Sequence, residues 1–109
     1  MTVYELLNSL EALALGGRKV PAKRVHARLD FLGTLSRGWF NGDGDPPSTL
    51  ALQKARKIVN FAEAESLSQP WVYPIETGGL CLDWDTYEVD LYNDGRIALF
   101  ELRQVGDPS

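Results

Sequence analysis

The chain predicts an α+β fold: three helices packed on one face of a four-stranded antiparallel β-meander, in the order αααββββ. Three observations lead there. Apolar residues recur at helical spacing in three segments before Gln69-Pro70. Beyond that dipeptide the period changes from near 3.6 to 2. The second half is punctuated by Gly78-Gly79 and Asp94-Gly95, which read as two-residue hairpin turns.

The first helix is expected over 3–15. Thr2 is placed to cap it, with Glu5 three residues on, as in a capping box. Val3, Leu6, Leu7, Leu10, Leu13 and Ala14 form its apolar stripe, and Gly16-Gly17 supplies the permissive backbone for its end. The second is expected over 21–36, with Pro21 in its first turn and Val25, Leu29 and Leu32 on one side. Leu35 or Ser36 continues that side, and Arg37-Gly38 ends the helix. Residues 38–47 hold three glycines and two prolines and cannot be regular. Ser48 caps the third helix, about 49–66, whose apolar positions are Leu52, Ala55, Ile58, Val59 and Ala62.

Four strands follow, at 71–76, 80–84, 87–92 and 96–102. A turn at Asp85-Thr86 pairs Trp84 with Tyr87, Leu82 with Val89 and Asp83 with Glu88. Turns at Gly78-Gly79 and Asp94-Gly95 add Tyr73, Ile75, Ala98, Phe100 and Leu102 to the apolar face beneath the helices. The opposite face then gathers Glu76, Asp83, Glu88, Asp90 and Glu101, with Asp85 at its rim and Tyr92, Ile97 and Leu99 at one end.

The 109 residues suit a single domain, expected over 1–105 with a frayed tail at 106–109. Apolar residues at 44% and charged residues at 24% are a globular balance, so disorder is excluded. Cys81 is the one cysteine, which excludes an intramolecular disulfide and a cysteine-based zinc site. Glu5 and Glu11 near the start speak against a secretory signal, and no apolar run approaches the roughly 20 residues of a membrane helix. The expected location is the cytoplasm. The net charge of -4 is unevenly spread. Residues 1–68 hold nine basic and seven acidic residues; residues 69–109 hold two and eight. Faces of one sign steer partners of the other.

Charged outer faces are common on half-exposed sheets, where they keep edges soluble. The functional reading of this one is docking against a basic protein partner through Asp83, Asp85, Glu88, Asp90 and Glu101, with Tyr92, Ile97 and Leu99 as apolar contacts. Trp39 is either a plug against the helices or an aromatic anchor on its loop. Arg18, Lys19, Lys23, Arg24 and Arg28 are a candidate phosphate grip, with a solvated helix face as the plainer reading. No cofactor or metal is expected. Asn41, Asp43 and Asp45 alternate like a calcium loop, but Pro46 and Leu52 stand where that loop needs glycine and glutamate. His26 lies among like charges, Cys81 among carboxylates that do not lower its pKa, and no catalytic motif is present. A carboxylate- or metal-dependent enzyme is the remaining alternative.

Three phrases also carry a resemblance: Gly38-Trp39-Phe40-Asn41-Gly42-Asp43-Gly44 with Pro47-Ser48, then Val72-Tyr73-Pro74 with Thr77-Gly78-Gly79, then Leu82-Asp83-Trp84. Over about 38–92 the chain resembles a family of small bacterial accessory-gene proteins with a G-W-[LF]-[DN]-G-[DE]-G loop, a Y-P-T-x-x-G-G turn and an L-E-W strand. It departs from that pattern at Ile75 and Asp83, where the family has threonine and glutamate. The resemblance implies a partner-dependent protein, of a kind carried in two-gene cassettes on mobile or accessory DNA. Taken together, the expectation is a non-catalytic binding module: an antitoxin, an immunity protein or an inhibitor of a nucleic-acid-handling protein.

Overall fold

The computed structural model describes residues 1–13 and 20–101. The expected helix end at Gly16-Gly17, the basic pair Arg18 and Lys19, Leu102 and the tail lie outside the described residues. The element order is α1 (Val3–Leu13), α2 (Ala22–Leu32), α3 (Thr49–Ala64), β1 (Trp71–Ile75), β2 (Gly79–Asp83), β3 (Tyr87–Leu91) and β4 (Ile97–Glu101). The strands form one antiparallel sheet in sequence order. Among the described residues no helix is long and apolar enough to cross a membrane.

Each helix starts where a polar cap or a proline allows. The Glu5 amide donates to Thr2 Oγ1 at 3.1 Å, and the Thr2 hydroxyl reaches the Glu5 carboxylate at 3.3 Å. Pro21 stands immediately before α2, and the Ala51 amide donates to Ser48 Oγ at 3.1 Å. Helix α2 ends at Leu32, four residues short of expectation. Gly33 weakens further helix, and the Thr34 hydroxyl donates to the Phe31 carbonyl at 2.6 Å. Helix α3 closes with Ser66 in the left-handed region (φ 56°). There the Leu67 amide donates to the Ala62 carbonyl and the Ser66 amide to Glu63, the two bonds of a Schellman end.

The core forms where α2 and α3 lie on the sheet. The small residues Ala51, Ala55 and Ala62 let α3 approach closely, while Leu6 and Leu10 of α1 join from the far side. The sheet contributes Val72, Leu80, Leu82, Val89, Leu91 and Ile97. Leu29 or Leu82, buried completely, each contributes roughly 1.5–3 kcal/mol by leaving water.

Two of the three hairpins differ from expectation in loop length and register, with large consequences. The Gly78 amide donates to the Ile75 carbonyl, and Ile75 pairs with Gly79. The Gly95 amide donates to Tyr92, and the Tyr92 amide donates to Arg96. Both loops therefore have three residues, Glu76-Thr77-Gly78 and Asn93-Asp94-Gly95. In each the glycine takes the left-handed third position, with φ 90° at Gly78 and 91° at Gly95. The pairing moves by an odd number of residues, three at β1–β2 and one at β3–β4, which turns every side chain over. Val72, Ile97 and Leu99 thus join the covered face, while Tyr73, Ile75, Ala98 and Phe100 turn outward. The Asp85-Thr86 turn is as expected: the Trp84 amide donates to Tyr87 at 2.9 Å, and Asp83 pairs with Glu88.

The glycine-rich loop is ordered by a small hairpin. Phe40 and Asp43 exchange backbone bonds of 2.7 and 2.8 Å around Asn41-Gly42, both at positive φ. It is tied to the β1–β2 turn through Asp45 N to Glu76 O and Ser48 N to Gly78 O.

Candidate partner-docking face

The face of the sheet opposite the helices is a grid set by register. One cross-strand row reads Trp71, Asp83, Glu88 and Phe100; the next reads Tyr73, Cys81, Asp90 and Ala98. A third row follows with Ile75, Gly79, Tyr92 and Arg96. The acids and the thiol occupy the two central strands, and the large aromatics occupy the edge strands. Trp71, Tyr73 and Phe100 are 47%, 45% and 43% exposed. Among the described residues no helix packs on this side. Gly79 is required here for space, because a Cβ would come within 2.4 Å of the Leu91 carbonyl oxygen.

The centre of the grid holds charge at a cost. Asp90 is half-buried, and its Oδ1 is shielded from solvent with no hydrogen-bond donor. Its carboxyl is pushed up to about 6, by burial first and then by the hydrogen bond and charge of Glu88. Burial, with the Glu88 and Asp90 charges behind it, drives the Cys81 thiol well above its usual range. The carboxylates around Cys81 thus raise its thiol rather than lower it, as its position among them predicts. Among the described residues no ion pair reaches Asp83, Glu88 or Asp90. The nearby cation, Arg96, is committed: it holds Asp94 through Nε at 2.8 Å and lies over the Tyr92 ring at 5.0 Å. The Arg96 backbone N–H, followed by its guanidinium, lowers the Asp94 carboxyl. The Asp85 amide donates to Asp83 Oδ1 at 2.7 Å, which orders the end of the acidic row.

Ligand atoms of Cys81, Glu88 and Asp90 lie within 4.8 Å of one another, close enough to share a cation. A protonated thiol is a poor ligand, so Glu88 and Asp90 would carry most of such an interaction. The same closeness is why the Glu88 hydrogen bond and charge raise the Asp90 carboxyl.

No family model, curated protein or solved structure matches the chain.

The grid brings together Asp83, Glu88, Asp90 and Tyr92 as expected, with Asp85 exposed at the rim. It does not bring Ile97, Leu99 or Glu101 to this face. Ile97 and Leu99 pack on the core, and Glu101 pairs with Tyr87 on the covered-face alternation, at the exposed end of β4. Trp39 sits half-buried in its loop, its indole donating to the Asp45 carbonyl at 2.6 Å, while Phe40 beside it is the exposed aromatic. Glu76 lies in the β1–β2 turn. Sequence reasoning misses Trp71, Tyr73 and Phe100. The signal for them is the glycine at the third loop position, which a two-residue reading of each turn hides.

On the helical side Lys23, Arg24 and Arg28 are exposed on α2. Arg28 Nε donates to the Val72 carbonyl at 3.2 Å, and its guanidinium lies over Phe31 at 5.6 Å. His26 is occupied between α2 and α3, meeting Asn60 Oδ1 at 2.8 Å and Arg56 at 3.0 Å, while Arg56 also pairs with Asp30.

Proposed function

We propose that this chain is a non-catalytic binding module, of the antitoxin, immunity-protein or inhibitor kind, that docks a basic protein surface with the outer face of its sheet. One observation carries the reading. The face sets Asp83, Glu88 and Asp90, none in an ion pair among the described residues, between exposed Trp71, Tyr73 and Phe100. Exposed aromatics grouped on one face mark contact surfaces, and aromatic residues dominate interface energies. The carboxylates select a partner of opposite sign. Protein grooves that hold nucleic acid are basic, so a nuclease or another nucleic-acid-handling protein fits the charge. The sequence resemblance supports a partner-dependent role. A cytoplasmic location goes with this reading, given a single cysteine.

The test is capture of a partner in equal proportion by the tagged protein, repeated with two variants. Asp83→Lys, Glu88→Lys and Asp90→Lys together reverse the charge, and Trp71→Ala with Phe100→Ala removes the aromatic edges. Both should lose the partner while keeping the native circular dichroism spectrum. Each aromatic truncation is expected to cost about 2 kcal/mol, or about thirtyfold in affinity. A partner kept at full strength by both folded variants overturns the reading.

A further inference from the structure

A concavity lies between α2 and β1, bordering the outer sheet face at Trp71 and Tyr73. It is a cleft of about 340 Å³, within the range of small-ligand sites. Buried Val25, Pro70 and Val72 give it an apolar floor. Arg24 and Arg28 line it from the helix, and Trp71 and Tyr73 from the edge strand.

We infer that this cleft binds a small planar aromatic molecule carrying a carboxylate. The two arginines are four residues apart, so they project from the same side of α2. Neither forms an ion pair among the described residues; Asp30, the acid on that helix, is taken by Arg56. Arg28 is held in place by its bond to the Val72 carbonyl and by the Phe31 ring, while its terminal nitrogens remain as further donors. A guanidinium fixed in this way is a fork suited to a carboxylate. The apolar floor and the planar guanidinium groups favour a flat ring, since aromatic faces stack on arginine planes. The cleft's size limits the occupant to one or two fused rings. A volume in the small-ligand range makes the occupant a free small molecule. This site is independent of the docking face except for Trp71 and Tyr73, which belong to both.

The matched probes are 2-naphthoate and its uncharged amide, 2-naphthamide, titrated into the full chain and followed by amide NMR. 2-Naphthoate should shift the signals of Val20, Arg24, Val72 and Tyr73 and bind at least tenfold more tightly than 2-naphthamide. Arg24→Gln, an exposed change that leaves the Arg28 bond in place, removes one of the two charges and should weaken 2-naphthoate at least threefold while leaving 2-naphthamide unchanged. Val20→Phe, which fills the cleft from its rim, should weaken both probes. Equal binding of the two probes by the wild-type chain overturns the inference. So does 2-naphthoate binding left unchanged by Arg24→Gln, or shifts confined to residues outside the cleft. Arg24 is not on the outer sheet face, so loss of 2-naphthoate with intact partner capture separates the two sites.

Discussion

Asp90→Asn is expected to stabilise the fold at neutral pH. The wild-type side chain carries a shielded oxygen without a donor, beside Glu88 and across from Cys81 in the strand pairing. Its carboxyl stands at about 6 in the folded chain against 3.8 for the ordinary group. Between those values the folded state holds the proton more often than the unfolded state. Stability therefore falls as pH rises through that window, and above about 6 the folded chain bears the full cost of the ionised carboxylate. A rise of that size corresponds to about 3 kcal/mol as a ceiling. The side chain is only partly buried and solvent screens it, so about 1 kcal/mol is the working figure. Asparagine removes the charge and offers an amide that can donate to Glu88. In urea titrations at pH 7.5 the midpoint should rise by about 0.5–1 M, with the gain shrinking toward zero at pH 4. The same substitution should weaken capture of a basic partner, because a partner cation would neutralise the carboxylate it removes. A variant equal to or weaker than wild type at pH 7.5, with the native spectrum retained, refutes the argument.

Cys81 should react with iodoacetamide at pH 8 at least tenfold more slowly than in the urea-unfolded chain, because its raised thiol leaves little thiolate; equal rates by mass spectrometry would contradict this. Gly79→Ala should lose several kcal/mol of stability, because its Cβ would meet the Leu91 carbonyl oxygen at 2.4 Å; an unchanged melting temperature would mean that β2 and β3 separate easily.

The central acid pair was legible in the sequence because its turn was. Asp85-Thr86 links two strands whose alternation places Asp83 across from Glu88, and the bond from Trp84 to Tyr87 bears this out. Helix starts were legible for a similar reason, since Thr2, Pro21 and Ser48 act on backbone within one turn. Local chemistry also determined that the first half would be helical and the second a meander: the spacing of apolar residues is written along the chain. Which face each edge strand turns to solvent was decided only in three dimensions. Gly78 and Gly95 serve a two-residue or a three-residue loop equally well on paper, and only the folded chain shows each glycine in the left-handed third position of a longer loop. With Val72, Leu80, Leu91 and Ile97 inside, Trp71, Tyr73 and Phe100 are left on the outside, flanking the acids. The α2–β1 cleft has the same origin, since it joins Arg24 and Arg28 to residues more than forty positions away, and only tertiary packing brings them together.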